Sequence, residues 1–247
     1  MKQFFITATD TDAGKTFVSC AITHALTHES ENTSTRVATY KPVSAGCDRQ
    51  EGILINEDAK LLCQFANCQQ TIAQINPIAF EEPIAPHIAA RKVGQAITIE
   101  TIQQYYQKVK AIEADVTLVE GAGGWRLPLG DDDSGKYQFL SDFAIKEELK
   151  VILVVNMKLG CLNHALLTYE MIKADGLECI AWVANCASAE PMNNLDENIA
   201  ELSKLLPIPK LAQFEFIAAC NSSNNKISQT DKIRLAAKQV DLSVLNR

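Results

Sequence analysis

Five short runs are apolar at nearly every position and rich in β-branched residues: Phe4–Thr9, Val37–Val43, Val116–Glu120, Val151–Asn156 and Ile180–Asn185. A strand with one wet face alternates apolar and polar residues. A strand that is apolar throughout is covered on both faces, as in parallel sheets. Helical patterns separate the runs, at Lys15–Thr27, Glu57–Ala66, Ile99–Ile112, Phe139–Glu148, Asn163–Asp175 and Leu195–Leu205. Thr98 is placed to cap the third and Gly176 to end the fifth. Strand–helix alternation of this kind predicts a doubly wound, mostly parallel α/β sheet. The polar stretches Glu29–Thr35 and Asp131–Lys136 are too short to divide domains, so residues 1–247 are expected to form one domain. A polar segment at Asn221–Gln229 opens a peripheral C-terminal part, about 221–247.

Composition narrows the function. The net charge is −7 and there is no Lys/Arg-rich run, which argues against non-specific nucleic-acid binding. No charged n-region precedes a long apolar stretch, and no apolar run approaches the ~20 residues of a membrane span. Eight cysteines are present without a CxxC pair of zinc-like spacing. In a long chain without a signal sequence they read as reduced thiols in a cytoplasmic protein.

The first apolar run leads into Ala8-Thr9-Asp10-Thr11-Asp12-Ala13-Gly14-Lys15-Thr16, and a helical pattern follows. Strand, loop ending Gly-Lys-Thr, then helix is the context of a Walker A phosphate loop. Successive backbone N–H groups there cradle an anion. Gly14 lets the backbone approach the phosphates, Lys15 meets the β/γ-phosphate charge, and Thr16 offers a hydroxyl to Mg²⁺. Ala8 stands where such loops usually open with glycine.

The carboxyl ends of the other runs carry further candidates, since open α/β sheets bind ligands there. Glu120, followed by Gly121-Ala122-Gly123-Gly124, matches the place of a Walker B carboxylate. On residue type alone, Lys41 is either a solvated lysine before Pro42 or a cation aimed at a ligand. Asp58 is either a helix-dipole charge or a metal ligand. Asn156–His164 is either a plain connection or a helix N-terminus that binds a carboxylate. Asn185 either reads an adenine edge or caps a turn, and His87 is either structural or a general base.

Taken in order, Thr9–Thr16, Tyr40-Lys41-Pro42-Val43, Pro86-His87, Val119–Trp125, Lys158–His164 and Trp182-Val183-Ala184-Asn185 resemble the dethiobiotin synthetase family, from about residue 4 to about residue 186. The resemblance implies a P-loop NTPase-like fold and an enzyme that uses ATP and Mg²⁺ to close 7,8-diaminopelargonic acid and CO₂ (or bicarbonate) into a cyclic urea in biotin synthesis. It assigns Lys15 and Lys41 to catalysis, and Thr16, Asp58 and Glu120 to the metal. It assigns Asp12, Ala13, Gly14, Lys15, Thr16, Phe17, Asp58, Glu120, Gly121, Ala122, Gly123, Asn185 and Cys186 to ATP. Thr11, Ser44, Ala45 and Gly123 fall to the substrate. So do Leu159, Gly160, Cys161, Leu162 and Asn163, which in the family act across a homodimer interface. A hydroxyl residue usually stands where this chain has Ala45, and Ser44 lies one place early. Partition-type ATPases share such a fold but carry a lysine five places before the Walker lysine, where this chain has Asp10. Cobyrinic-acid amide synthetases need a glutaminase domain for which 247 residues leave no room. A degenerate, non-catalytic dimer fits poorly with the intact Lys15, Thr16, Lys41 and Glu120.

Overall fold

The apolar runs pair as strands covered on both faces. In the computed structural model, which describes residues 1–28, 35–132, 134–190, 192–218 and 226–246, six strands form the main sheet. They are β1 (Lys2–Ala8), β2 (Val37–Tyr40), β3 (Val116–Glu120), β4 (Lys150–Asn156), β5 (Cys179–Asn185) and β6 (Lys210–Phe214). Their order is β6-β5-β4-β1-β3-β2, and every neighbouring pair is parallel. The longer helices are α1 (Lys15–Thr27), α2 (Glu57–Phe65), α3 (Ile99–Lys110), α4 (Leu140–Lys146), α5 (Cys161–Ala174), α6 (Leu195–Leu205) and α7 (Gln229–Ala237).

Alternate side chains of β1 enter two separate cores. Phe4, Ile6 and Ala8 pack with Val18, Ile22, Leu62 and Ile233 from α1, α2 and α7. Phe5 packs on the opposite face with Ile102, Phe143, Ala165 and Leu202 from α3, α4, α5 and α6. The helix that follows β1 therefore leaves toward one face, while those that follow β3 and β4 lie on the other. The sheet opens at the carboxyl end of β1, where such folds bind ligands.

Several boundaries differ from expectation for local reasons. The run Val37–Val43 ends as a sheet strand at Tyr40, because Pro42 has no N–H to extend the ladder. The chain bends away, and Val43–Ser44 pairs with Ile78–Ala79 in a separate two-stranded ladder. β6 is not legible as a strand, being five residues long and preceded by Pro207 and Pro209. Short helices at Ile72–Ile75 and Pro86–Lys92 are also additions. Thr98 does cap α3, accepting from the Thr101 N–H, and Gly176 takes a left-handed φ just after α5. Of the stretch Asp131–Lys136, Asp133 lies outside the described residues; Pro128–Asp131 and Tyr137–Phe139 pair as an antiparallel hairpin, and the Asp132 N–H donates to Lys136 O at 2.9 Å. The tail carries α7 and a 3₁₀ turn, and it buries Ile233, Ala236, Val244 and Leu245 in the α1 core. Residues 29–34, most of the polar stretch 221–229 and Cys220 lie outside the described residues. The seven described cysteines are free thiols. Among the described residues no helix is long and apolar enough to cross a membrane.

Candidate active site

The phosphate loop continues the parallel pairing of β1: the Thr9 N–H donates to Val154 O at 3.0 Å, and the Asn156 N–H donates to Thr9 Oγ1 at 3.2 Å. Ala8 is the buried last residue of β1 and needs no left-handed backbone, so glycine is dispensable there. Gly14 is not. Its φ is +80°, and a Cβ added to it would lie 2.3 Å from Asn185 Nδ2. That amide reaches from the end of β5 and donates to Ala13 O at 2.7 Å. α1 begins at Lys15 with no side-chain cap and no acidic residue in its first turn, so its leading N–H groups can face an anion. Lys15 folds back over the loop, and its Nζ donates to Asp10 O and Thr11 O at 3.3 and 3.2 Å. Burial lowers its pKa to about 8, against the attraction of Glu120 and with added repulsion from Lys41.

Beside this loop lies a cluster drawn from four elements. Glu120 ends β3 almost fully buried, and its Oε1 accepts from Thr16 Oγ1 at 2.8 Å and from Lys41 Nζ at 2.6 Å. Lys41 Nζ also lies 3.1 Å from Asp58 Oδ2, in the first turn of α2. Burial by itself would lower the Lys41 pKa. The attractions of Glu120 and Asp58 overcome it, and the ammonium is held above its usual range. Lys41 is thus not a solvated lysine, and Asp58 is more than a helix-end charge. Thr16, Asp58 and Glu120 present hard oxygens, and Glu120 Oε2 is buried without a hydrogen-bond partner among the described residues. Two carboxylates and a hydroxyl suit Mg²⁺, which takes few protein ligands and completes its shell with waters and phosphate oxygens.

The turn after Glu120 is fitted closely. A Cβ on Gly121 would stand 3.0 Å from the Phe5 ring, and one on Gly123 3.7 Å from Thr11 Oγ1. Thr11 and Gly123 therefore lie side by side. Trp125 and Arg126 both bond to Asp175 at the end of α5, which anchors the turn. Ala45 is half-buried, and the Ser44 hydroxyl is engaged within the protein, donating to Asn76 Oδ1 at 2.6 Å. The segment Leu159–Asn163 opens α5 through a left-handed Gly160, with Leu159 93% exposed. Within one chain it touches the phosphate loop through its neighbour Lys158, which pairs with Asp10. His87 lies in the short helix Pro86–Lys92, its Nδ1 buried without a partner.

A cavity of about 230 Å³ adjoins the loop. Gly14, Phe17, Asn185 and Cys186, all assigned to ATP by the family resemblance, form one wall. The other wall is Glu215–Ile217 after β6, with Gln229 and Lys232 of α7, and was not anticipated. No motif marks these residues. The available signal is that they follow a strand's carboxyl end, and that strand itself was missed. A larger open hollow of about 510 Å³ runs along the β6 edge; it contains no phosphate-loop residue and meets the first cavity at Glu215.

Comparison with known proteins shows the family. A sequence profile for the family described as "AAA domain" matches residues 2–224. An ATP-dependent dethiobiotin synthetase of Alteromonas mediterranea is 46% identical over 222 residues, covering 87% of this chain and 93% of that one. The chain belongs to the ATP-dependent dethiobiotin synthetase family. Synthetases bearing the same name from Pseudoalteromonas translucida and Aeromonas salmonicida are 44% and 43% identical, each over at least 86% of this chain and 89% of theirs. As a dethiobiotin synthetase family member, the protein is an ATP-dependent ligase. Its fold is shared more widely. The MinD cell division protein of Aquifex aeolicus superposes with a TM-score of 0.50 at 13% identity, covering 95% of this chain and 86% of that one. At that identity the likeness concerns the fold alone.

Proposed function

We propose that the protein forms dethiobiotin from 7,8-diaminopelargonic acid, CO₂ and ATP, with release of ADP and phosphate, in the cytoplasm. One amine attacks CO₂, loses a proton and becomes a carbamate. A carbamate oxygen attacks the γ-phosphorus and ADP leaves. The second amine then attacks the carbonyl carbon, expels phosphate and closes the ureido ring. No covalent enzyme intermediate is needed, so the side chains act by position and charge.

The observation that carries this reading is the second buried lysine. A phosphate loop, its metal ligands and a base cavity suffice to bind and split ATP. Lys41, poised beside Lys15 and held by Glu120 and Asp58, is a cation beyond that need. It lowers the repulsion between carbamate and phosphoryl group, where charge develops. Lys15 and the α1 N–H groups receive the β/γ-phosphates. Thr16, Asp58 and Glu120 would hold Mg²⁺, which when bound neutralises phosphate charge. Asp12–Phe17 and Gly121–Gly123 line the phosphates, while Asn185 and Cys186 flank the base. Thr11 and Gly123 meet the diamine's reacting end. Leu159–Asn163 of the partner subunit in a homodimer bind its carboxylate, a role supported by the exposed apolar Leu159, Leu167 and Met171 on this side of the chain.

The test is product formation with ¹³C-bicarbonate, the diamine and MgATP. The expected result is label in the ureido carbonyl and one ADP per dethiobiotin. ADP release that is indifferent to the diamine would overturn the reading.

A further inference from the structure

Among the described residues β2 is an edge strand, paired only with β3. The N–H and C=O groups of alternate residues along its outer side would stand unpaired. Among the described residues no seventh strand of the main sheet meets them. Side chains and turns of residues 67–76 do so instead. The Val37 N–H donates to Asn67 Oδ1 at 2.7 Å, and the Cys68 N–H donates to Val37 O at 3.3 Å. Gln70 takes both groups of Thr39, accepting from its N–H and donating to its carbonyl, each at 2.9 Å. The Lys41 N–H donates to Ile75 O at 2.7 Å, and Asn76 Nδ2 donates to Lys41 O at 2.8 Å.

The last step of this ladder differs from the rest. Sheet pairing stops at Tyr40, opposite Val119, and Pro42 follows. The backbone of Lys41 is therefore held by Ile75 and Asn76 rather than by the sheet. Asn76 is itself oriented. With Nδ2 turned to the Lys41 carbonyl, its Oδ1 accepts from the Ser44 hydroxyl at 2.6 Å. Asn76 is 5% and Ser44 3% exposed, so water does not substitute for either bond.

We propose that Asn76 is a positioning residue for Lys41, and that Ser44 acts on the reaction through Asn76 rather than by touching the diamine. The proposal rests on the reading of Lys41 as the cation at the transferring phosphoryl group. A displacement of about 1 Å at a reacting group can cost ~10²-fold in rate. Lys41 reaches two carboxylates within 3.1 Å from a backbone fixed at one peptide unit, so a shift there carries to its ammonium.

The experiment compares Asn76→Ala, Asn76→Asp, Ser44→Ala, the Ser44→Ala/Asn76→Ala double variant and Lys41→Met. It reads kcat and KM for the diamine, nucleotide Kd by calorimetry, and Tm. Asn76→Ala is expected to lower kcat by about 10- to 100-fold while nucleotide Kd stays within about twofold. Ser44→Ala is expected to lower kcat less, with diamine KM unchanged, and the double variant to be no worse than Asn76→Ala alone. Asn76→Asp keeps shape and volume but, when ionised, lacks the donor to Lys41 O. It should match Asn76→Ala at pH 8 and recover as pH falls and the introduced carboxyl becomes a donor.

Wild-type kcat for Asn76→Asp at pH 8, or a raised diamine KM in Ser44→Ala that adds to the Asn76→Ala effect, overturns the proposal. If Asn76→Ala does not fold, Ser44→Ala and Asn76→Asp decide by the same readings. If Lys41→Met keeps wild-type kcat, the Lys41 reading falls and the positioning role with it. If Lys41→Met loses turnover while Asn76→Asp and Ser44→Ala do not, only the positioning role is overturned.

Discussion

Replacing Lys41 by methionine separates its electrostatic role in the fold from its role in turnover. In the protein, Glu120 Oε1 accepts from Lys41 at 2.6 Å and Asp58 lies 3.1 Å from the same ammonium. Methionine keeps most of the stem volume but removes the charge, leaving Glu120 buried with only Thr16 as donor. Breaking a buried pair from one side costs about 3–5 kcal/mol, because the remaining charge is desolvated and uncompensated. In a domain of this size ~1 kcal/mol shifts Tm by about 2–4 °C. The expected drop in chelator is therefore about 6–20 °C. Two controls fix the cause. Adding Mg²⁺ should narrow the gap, since a divalent cation takes over the carboxylates. Adding Glu120→Gln to the Lys41→Met background should restore stability, since the orphaned charge is gone. Turnover to dethiobiotin should fall by about 10²–10³ while nucleotide Kd stays near wild type. Differential scanning calorimetry and product assays decide. A Tm within about 2 °C of wild type in chelator would refute the reasoning about the buried pair. Equal loss of ATP binding and product formation would move Lys41 to the nucleotide site.

Gly14→Ala forces a left-handed φ of +80° on alanine and drives its Cβ to 2.3 Å from Asn185 Nδ2. With a strain of about 1–2 kcal/mol, ATP affinity measured by calorimetry should fall about tenfold or more, and an unchanged Kd would show that the loop relaxes freely. Glu120→Gln removes one charged oxygen ligand, so the Mg²⁺ midpoint for ADP formation should rise about tenfold. Overlaying Mg²⁺ titrations would make Glu120 structural only. Mixed Lys15→Gln and Asn163→Ala chains should regain activity through hybrid dimers, and no recovery despite subunit exchange would mean that each site is built from one chain. At alkaline pH, burial holds the Cys179 thiol up at about 12, from 9.0, and raises the Tyr40 and Tyr106 hydroxyls above their ordinary 10.0. Raised folded pKa values make this stability complete below about pH 9 and lost as pH climbs toward 12. Tm should therefore fall progressively from pH 9 to 11, and a flat profile would contradict it.

The parts of this fold that were legible in sequence are those set by strong local periodicity. Five of the six main strands read directly as apolar runs, because burial on both faces leaves no polar position to blur the pattern. The phosphate loop was legible because its glycine, lysine and threonine are demanded by backbone geometry and anion chemistry within a few residues. Glu120 was legible by its place at a strand end. What joins Glu120 to Lys41, 79 residues apart, is topology: β2 and β3 are sheet neighbours although α2 and α3 intervene in the chain. The far wall of the cavity beside the phosphate loop was not legible, since Glu215–Ile217 follow a five-residue edge strand whose composition is unremarkable. Ser44 came to notice only through the family resemblance, one place before the usual hydroxyl position, and its hydrogen bond to Asn76 is not visible in sequence.

The segment Asn67–Asn76 makes the same point from the energetic side. It is rich in Asn and Gln, and it closes the open edge of the sheet. Carboxamides suit this task because each carries a donor and an acceptor on one short side chain, so Gln70 alone satisfies both groups of Thr39. A seventh strand would make similar bonds but would require extended backbone throughout. The helix Ile72–Ile75 could not then form, and that helix is what brings two partners to a single residue. Its start is fixed by the capping box of Thr71 and Gln74, and its end by Asn76, whose N–H donates to Ile72 O at 2.7 Å. The C-terminal turn thereby presents Ile75 O and the Asn76 amide together to the N–H and C=O of Lys41. The lysine at the edge of the sheet is thus supported from outside the sheet, and the capping box at Thr71 is the far end of that support.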